Sequence, residues 1–593
     1  MDQGDRLRAG GRRTRRALGA AVAALLCAAV VATAAAEPAP PLATNLVRED
    51  VFGGSSDFDW PVDVESDAAG RVYFAGYTAS PDFPRKAALP IRHADSDPSD
   101  NLLYTQGFVR RYAPNGVVLY STLLPPKLGS PNGFSVTDDG AVYAVGDTWE
   151  PGTPYDGAGV VKVSASGREV EYSTMLGGDE SYAFGIDIAA APDGGAYVVG
   201  IAPRFPVTSG AWAETPFPAE SNFIARLSPS GEMTAATYIP HGATTIDVAP
   251  SGDVYVGGDA HPGAFGDAPG VVAAPGVASR YDGFIARFSP DLSQLRFASY
   301  VGAGGDDRIE GIDVGADGVV HAVGTANGDS LQEVNPLETL SEPGERFDDV
   351  MYVELSPDGE VVRQLARIGT AGPDVGTDLE LGPDGAVLIS AHKSSYDIPV
   401  HGSLPDRPHA PGFAVRIQDG AMTHLTTYGD PSVTGNVGGG ITATSDGLVH
   451  IGDFVKTERD RPTIDLRLEA LQMNPFVDEP EVTVPSEQGA RASLSAEAGA
   501  REDVETQGWA VATIRKGKRA RAIRLESAPA EVGAYDTAPL ALRPRTERGR
   551  KRLREALGAG KRIRVETKVR FEDSQGTVAI ERHKQTVSGA SGR

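Results

Sequence analysis

A polar side chain recurs within an apolar segment shortly before each of seven glycines. Five of these side chains are carboxylates and two are hydroxyls: Asp63, Ser135, Asp187, Asp247, Asp313, Glu380 and Thr442. Each precedes its glycine by five residues, except Asp63 and Asp187, which precede it by seven because we expect longer turns there. Converging carboxylates supply the oxygen ligands that calcium prefers. The alternative is structural, with each carboxylate accepting backbone N–H bonds from a neighbouring repeat.

Other catalytic chemistry has no visible motif. The sequence contains no Gly-x-Ser-x-Gly elbow and no phosphate-binding loop, and its single cysteine, Cys27, lies near the N-terminus. His321 and His450 occupy a position that is tyrosine in other repeats, which predicts packing roles. The histidines within residues 392–409 lack metal-ligand spacing. We therefore predict no catalytic residue and no cofactor other than possible calcium.

The glycines belong to a repeated phrase, Gly-x-x-aromatic, which usually has another glycine three residues later. Its copies begin at Gly70, Gly140, Gly194, Gly252, Gly318, Gly385 and Gly447. The intervals range from 54 to 70 residues, which indicates one structural unit repeated seven times.

Each unit predicts four antiparallel strands. In the third unit the first three strands fall near residues 184–188, 197–200 and 223–227, and residues 171–178 exemplify the fourth strand in the unit before it, with glycine turns between strands. Seven such units with hardly any helical pattern predict an all-β, seven-bladed β-propeller. The seventh unit lacks an outer strand, and residues 45–54 match the missing one. We therefore predict closure by exchange of terminal strands, whereas an open solenoid would need capping units.

Several units resemble the bacterial seven-bladed beta-propeller repeat (SBBP) family over roughly residues 45–475. The resemblance rests on Tyr172-Ser-Thr-Met-Leu-Gly-Gly178, Gly185-Ile-Asp-Ile188, Pro192-Asp-Gly194, Tyr197-Val-Val-Gly200, Asp82-Phe-Pro84 and Arg204-Phe-Pro206. It implies the propeller fold and a secreted or surface protein with no assigned activity. Ala391 and Asp453 depart from the pattern, since each stands where the motif has glycine.

Residues 1–36 read as a signal peptide. Six arginines precede an apolar run over residues 17–31, and Ala34-Ala35-Ala36 offers a cleavage site. An uncleaved anchor is the alternative, but the run is shorter than the ~20 residues of a spanning helix. We predict a secreted or cell-surface protein, exported by the general or the twin-arginine route. After cleavage the chain would lack both cysteine and stable membrane insertion.

The propeller and the C-terminal module differ in net charge, and this difference limits the classes of partner that each can bind. The formal charge of residues 37–480 is −37 and that of residues 481–593 is +8. An acidic propeller repels nucleic acid and anionic membranes, because phosphate binding needs basic clusters. Solubility explains the charge as well as cation binding does.

Composition changes after the propeller, predicted at residues 37–475. A linker at 476–488 precedes a basic, β-rich module at 489–593, with a short helix near 547–557 and a hairpin over 563–580. The module resembles the tails of secreted proteins from high-GC Gram-positive bacteria, which implies no activity. Its basic runs, 543–554 and 561–564, are predicted to dock on an anionic cell-wall polymer or on the propeller, or to be merely solvated.

The sequence therefore predicts a binding scaffold, and the absence of a catalytic motif argues against an enzyme. We expect a monomer that binds a protein or an extracellular polysaccharide, and no nucleic acid. Long connections at residues 77–106 and 325–347 are candidate binding loops. The alternative function is an extracellular polysaccharide lyase or hydrolase with its site in the axial channel.

Overall fold

The computed structural model describes residues 44–588 with several gaps. The gaps are 56–58, 92–104, 126–127, 149–156, 178–181, 218–220, 241, 267–270, 274–280, 329, 338–347, 370–371, 394–409, 431–438, 459–461, 474–481, 484–493, 501–503, 517–518, 527–529, 533–535, 545–550, 552–561 and 574–577. The predicted signal peptide lies outside the described residues. Among those described, no helix is long and apolar enough to cross a membrane.

Seven antiparallel sheets in the described chain form the blades, each running from an inner strand to an outer strand. Blade 1 comprises β2 (Asp59–Ser66), β3 (Val72–Thr78), β4 (Gln106–Tyr112) and β5 (Val118–Leu123). Blade 2 comprises β6 (Ser130–Val136), β7 (Val142–Asp147), β8 (Ala158–Val163) and β9 (Val170–Leu176). Blade 3 comprises β10 (Phe184–Ala190), β11 (Ala196–Ile201), β12 (Asn222–Leu227) and β13 (Met233–Ile239).

The remaining blades keep the same order of strands. Blades 4 and 5 comprise β14 (Ala243–Val248), β15 (Val254–Ala260), β17 (Asp282–Phe288) and β18 (Leu295–Val301), with the added strand β16 (Val271–Ala273); and β19 (Arg308–Val314), β20 (Val320–Asn327), β21 (Asp348–Leu355) and β22 (Val362–Ile368). Blades 6 and 7 comprise β23 (Asp374–Leu381), β24 (Val387–Lys393), β25 (Gly412–Gln418) and β26 (Ala421–Tyr428); and β27 (Ile441–Ala443), β28 (Leu448–Glu458), β29 (Pro462–Met473) and β1 (Thr44–Phe52).

The blades close into a ring. Each inner strand contacts the next, and β27 of blade 7 contacts β2 of blade 1. Strand β1 pairs antiparallel with β29, from Thr44 opposite Met473 to Phe52 opposite Leu466, so the predicted strand exchange is confirmed. An apolar cluster fills every interface between blades, including that between blades 7 and 1, where Phe52 packs with Phe74. The core therefore lies between the sheets.

The repeated tyrosine links adjacent blades. The hydroxyl of Tyr143 in blade 2 donates to the carbonyl of Gly194, the turn glycine of blade 3, at 2.7 Å. Tyr73 makes the corresponding bond to Gly140 at 3.4 Å. The position three residues after the tyrosine has no room for a side chain, because a Cβ on Gly146 would collide with the carbonyl oxygen of Ser130. At the same position in blade 7, Asp453 instead pairs with buried Arg467 at 2.5 Å.

Connections between the second and third strands cover the outer edges of four blades. In blade 1, Lys86 bridges to Ser121, and in blade 5, Val334 bridges to Leu365. In blade 3, Thr208 donates its N–H to Ala236, and in blade 4, β16 pairs with β18. The Phe-Pro signature anchors two of these connections, because Phe83 and Phe205 are buried. Covering an outer strand removes a free edge that would otherwise invite aggregation.

The C-terminal region forms a separate sheet. Its strands are β30 (Val482–Thr483), β31 (Leu494–Ala500), β32 (Val504–Lys516), β33 (Arg519–Glu526), β34 (Ala530–Val532), β35 (Asp536–Pro544), β36 (Arg562–Asp573) and β37 (Val578–Ser588). Their order is β30-β31-β35-β33-β32-β36-β37, and β34 also pairs with β32. Apart from Lys551, the predicted short helix lies outside the described residues.

Candidate functional site

The inner strands position two levels of side chains around the propeller axis. Alternate residues of a strand face the same side, so residues seven and five before each turn glycine both face the axis. We name the first set the waist level: Asp63, Gly133, Asp187, Thr245, Gly311, Asp378 and Gly440. We name the second set the turn level: Glu65, Ser135, Ala189, Asp247, Asp313, Glu380 and Thr442.

This arrangement corrects the predicted ring of five carboxylates. Asp63 and Asp187 lie at the waist level, whereas Asp247, Asp313 and Glu380 lie at the turn level. The first and third turns are not longer than the others, because Glu65 pairs opposite Tyr73 just as Asp247 pairs opposite Tyr255. The predicted ring combined residues that stand seven before the turn glycine with residues that stand five before it, and these belong to two different levels.

Sequence reasoning missed two axial carboxylates, Glu65 and Asp378. Both would have been found by comparing the fifth and the seventh residue before every turn glycine. A β-bulge in six inner strands, immediately before the waist level, shifts the register there. Bulges of this kind bend a strand and aim its side chains, and here they precede the residues that narrow the channel.

The axial channel opens into a cavity on either side of the waist. The turn-side cavity has a volume of about 780 Å³ and reaches the turns at Thr137, Pro192 and Pro250. The loop-side cavity has a volume of about 330 Å³ and is lined by the bulge residues, such as Asn132 and Thr244. Asp63, Asp187, Thr245 and Asp378 line both cavities, so the waist level divides them.

The turn-side cavity is strongly acidic. Nine carboxylate residues line it, and none of its described lining residues is lysine, arginine or histidine. The acidic residues are Asp63, Glu65, Asp138, Asp139, Asp187, Asp247, Asp313, Asp378 and Glu380. Field lines concentrate in a cleft lined by one sign of charge, so this cavity attracts cations and repels anions.

Side-chain acceptors of the inner strands also join neighbouring blades. Asp187 accepts the N–H of Ile246 in the next blade at 2.9 Å and that of its own neighbour Ile188 at 2.8 Å. The bonds at the other interfaces are Glu65 to Val136 N–H, Ser135 to Ala190 N–H, Asp247 to Val314 N–H, Asp313 to Leu381 N–H and Asp378 to Ile441 N–H. Ser66 donates to the carbonyl of Ala443 between blades 7 and 1.

Glycine at the waist makes room for the neighbouring aspartate. A Cβ on Gly133 would lie 2.5 Å from Cα of Asp187 in the next blade. Gly440 stands beside Asp63 in the same way, and Gly311 stands near the backbone of Asp378. Each waist aspartate therefore follows a blade whose own waist residue is glycine.

Burial raises the pKa of the axial carboxyl groups, because the surrounding protein solvates the charged form less well than water does. The pKa values of Asp187 and Asp313 rise to about 6. Burial, followed by the nearby Asp313 carboxylate, raises the pKa of Asp247 to about 8. Burial and neighbouring carboxylates also raise the pKa of Asp63, Glu65 and Glu380. Several axial carboxyl groups therefore titrate near neutral pH.

The channel residues offer acceptors and acids. No group of three or more histidine, cysteine or acidic side chains in the described chain lies close enough to hold a metal ion. The calcium role of Asp63, Asp187, Asp247, Asp313 and Glu380 stays a prediction.

His321 contacts the Tyr352 hydroxyl at 2.9 Å, and burial lowers its pKa to about 4. His450 is buried, and its pKa is also lowered to about 4.

The two candidate binding features lie at opposite ends of the channel. Antiparallel strands place the inner turns at one end of every blade and the connections between second and third strands at the other. The long connections that begin after β3 and β20 therefore share the end of the loop-side cavity. The acidic turn-side cavity opens among the short turns.

Comparisons with known proteins show similarity of fold only. No family model and no curated protein matches the chain. An acylaminoacyl peptidase of Pyrococcus horikoshii is similar at 10% identity and a TM-score of 0.37, over 75% of this chain and 58% of that chain. PorZ, a surface component of the Porphyromonas gingivalis type-IX secretion system, is similar at 11% identity and a TM-score of 0.32, over 89% and 70%. The microbial sialidase Hz136 is similar at 9% identity and a TM-score of 0.32, over 73% and 98%.

Proposed function

We propose that the chain is an exported propeller scaffold that binds a partner protein through a positively charged segment of that partner, held in the turn-side cavity. The acidic lining of this cavity is the observation that carries the proposal. A volume of about 780 Å³ is in the range of sites for sizeable ligands. Ammonium and guanidinium groups match a lining whose charged side chains are all carboxylates, whereas nucleic acid, phosphates and anionic lipids are repelled.

Titration of the full chain with pentalysine tests this binding. We expect saturable binding that weakens as salt is added, because the attraction is electrostatic. The D63N/D378N variant removes two carboxylates of the waist level and should weaken binding about tenfold, equivalent to about 1.4 kcal/mol. Pentaglutamate serves as the control ligand. Equal binding of both peptides, or unchanged affinity of the variant, would contradict the proposal.

Calcium is the competing occupant of the cavity. If the axial carboxylates shared a calcium ion, a chelator would lower the melting temperature of the wild type and have no effect on D63N/D378N. We expect the chelator to change neither melting temperature, since the axial carboxylates already accept hydrogen bonds across the blade interfaces.

Export and family membership form part of the same proposal. The order of arginine run, apolar run and alanine triplet in residues 1–36 supports a cleaved signal peptide. The repeat phrases and the seven-bladed ring support membership of the SBBP group. N-terminal sequencing of protein from the culture medium should begin near Glu37, and an intact Met1 would contradict cleavage.

A second function is favoured by the position of Asp247, which lines the turn-side cavity and whose pKa is raised by burial to about 8. A carboxyl group that retains its proton near neutral pH suits general acid catalysis. An enzyme of this kind would release reducing or unsaturated ends from a polysaccharide, and D247N would abolish the release. Absence of any product from a polysaccharide panel would leave the binding function.

A further inference from the structure

The loop-side cavity has lining residues that the turn-side cavity lacks. Beside the waist level, the extra residue of each β-bulge faces this cavity, and we name these residues the bulge level: Val62, Asn132, Ile186, Thr244, Glu310 and Thr377. The volume of about 330 Å³ is at the lower end of the range of small-molecule sites. This cavity therefore has room for one compact ligand.

A third level of side chains forms the mouth of the loop-side cavity. In blade 3, Phe184 pairs with Ile201 and Asp187 pairs with Val199, so Phe184 lies on the same face of the sheet as the waist residue. The residue three before the waist has this register in six blades, and we name this set the mouth level: Trp60, Ser130, Phe184, Gly242, Arg308 and Val375. Val375 supports this placement, because it lines the loop-side cavity.

The mouth level carries two aromatic residues. Trp60 is 40% exposed, and its ring packs edge-on against Phe454 of blade 7 with 4.6 Å between the ring centroids. Phe184 is half-buried, and its ring centroid lies 5.3 Å from that of Tyr182. An exposed tryptophan beside a cavity offers a broad apolar surface on which a ligand can lie.

The polar side chains of the bulge level offer hydrogen-bond acceptors. The side-chain N–H groups of Asn132 already donate to protein oxygens at 2.8 and 3.3 Å, so the amide oxygen is the group that it presents to a ligand. The hydroxyls of Thr244 and Thr377 donate to backbone carbonyls, and their oxygens can still accept. Glu310 adds a carboxylate. These four residues belong to blades 2, 4, 6 and 5, so a ligand at this depth meets acceptors on several sides.

The charged side chains among the described lining residues of this cavity are all carboxylates. They are Asp63, Asp187 and Asp378 at the waist level and Glu310 at the bulge level. Arg308 of the mouth level has its Nε atom 3.4 Å from carboxylate oxygens of Glu310 and Asp259, which balance its charge. The base of the cavity, formed by the waist level, therefore attracts a cation.

The three levels together narrow the class of ligand. The aromatic mouth suits the apolar face of a sugar ring, the acceptors of the bulge level suit its hydroxyl groups, and the waist carboxylates suit an ammonium group. An alkylamine donates hydrogen bonds at one end only, so it would leave the bulge-level acceptors without a ligand donor. A neutral sugar brings no positive charge to the waist. A sugar that carries an ammonium group satisfies all three levels.

We propose that the loop-side cavity binds an amino sugar with a free ammonium group. Its ring lies against Trp60, its hydroxyls donate to the bulge level, and its ammonium group pairs with the waist carboxylates. This site does not depend on the function proposed for the turn-side cavity. Because the two cavities share the waist aspartates, the test changes residues outside the waist level.

Titration of the full chain with glucosamine at pH 7 tests the site, with glucose, N-acetylglucosamine and pentylamine as comparison ligands. We expect glucosamine to bind about tenfold more tightly than each of the other three. Glucose and N-acetylglucosamine lack the positive charge, and pentylamine lacks the ring and its hydroxyl groups.

Two variants locate the binding. Glu310→Gln keeps the size of the side chain and should weaken glucosamine binding about fivefold, because a carboxylate accepts a stronger hydrogen bond than a neutral amide does. Glu360→Gln is the matched control, since Glu360 is exposed in the turn between β21 and β22 of the same blade, and the affinity should stay within about twofold of the wild type. Trp60→Ala should weaken binding about tenfold, as the loss of a tryptophan contact surface does at other binding sites.

Melting temperatures monitor the folding of each variant, and Glu310→Gln decides the test if Trp60→Ala does not fold. The proposal fails if glucosamine does not bind, or if a comparison ligand binds as tightly. It also fails if Glu360→Gln weakens binding as much as Glu310→Gln does, or if a folded Trp60→Ala binds like the wild type. Pentalysine binding that persists in any of these cases leaves the function proposed for the turn-side cavity intact.

Discussion

At the scale of single residues, one aspartate serves both the fold and the acidity of the channel. The Asp187 carboxylate accepts a hydrogen bond from a backbone N–H of its own strand and another from a backbone N–H of the next blade, and Asp187 also lines both cavities. A carboxylate with two backbone donors is a stable acceptor even when largely enclosed. The acidic lining therefore follows in part from the way the blades are joined.

Replacing Asp187 with alanine should lower the free energy of unfolding by about 1–3 kcal/mol, because two backbone N–H groups lose their acceptor. Urea unfolding at pH 7 measures the change. Ser135→Ala is the matched control, since Ser135 accepts one longer bond, 3.2 Å from Ala190 N–H. Equal losses in the two variants would mean that the aspartate bonds contribute no more than the serine bond.

Gly133 provides a test of the space at the waist. In Gly133→Ala the new Cβ would lie 2.5 Å from Cα of Asp187, so the neighbouring strand must shift. We expect a loss of about 1–3 kcal/mol, as for other overpacked sites. Gly311→Ala is the control, because its nearest atom is the backbone nitrogen of Leu379 at 3.1 Å. Urea unfolding should rank Gly133→Ala below Gly311→Ala, and the reverse order would refute the packing argument.

The sequence identified part of the axial site. Asp247, Asp313 and Glu380 are found from their spacing to a turn glycine, because the turn fixes their distance along the strand. Glu65 and Asp378 were missed because two residues of each strand face the axis and a single spacing selects only one. Which acceptor bonds to which blade depends on packing between distant segments, and no local pattern records it.

At the scale of elements, β1 carries the closure of the ring. It is the outer strand of blade 7, although it precedes blade 1 in the chain. Its partner β29 would otherwise be an edge strand, and exposed edges pair with other chains. The prediction of this exchange was possible because the last repeat lacks one strand and the N-terminal segment has the matching pattern.

Deletion of residues 37–54 should lower stability by several kcal/mol, because β1 and its ladder of hydrogen bonds disappear. Aggregation should increase as β29 becomes an edge. The control is deletion of residues 37–43, which leaves β1 intact. Melting curves and light scattering compare the two, and equal behaviour would show that β1 is not needed to close the ring.

Other elements escaped prediction for physical reasons. The blades were predictable because each repeats the same turn glycines and alternating apolar residues. The short pairings that cover the outer edges, such as Val334 with Leu365, involve one or three residues and leave no periodic signal. The bulges in the inner strands were missed for the same reason, since one extra residue interrupts the alternation only locally.

At the scale of the whole molecule, closure concentrates charge. Five of the seven inner strands bring seven carboxyl groups of the waist and turn levels to one axis, and burial raises their pKa values. In the unfolded chain, aspartate and glutamate titrate near pH 4. The folded protein therefore retains protons between about pH 4 and pH 8 that the unfolded chain has lost, and stability must fall as pH rises through that range.

Stability should accordingly be greatest near pH 4 to 5 and should decline by a few kcal/mol towards pH 8, where Asp247 is half ionised. Surface turn aspartates act in the opposite direction below that optimum, since hydrogen bonds from Ser289 and Ser293 lower the pKa of Asp291 to about 2. Urea unfolding across this pH range measures the curve. A cationic ligand in the turn-side cavity favours the ionised carboxylates, so saturating pentalysine should raise stability at pH 8 more than at pH 5. A flat curve without ligand would show that the axial carboxyl groups titrate normally, and an equal gain at both pH values would place the peptide away from them.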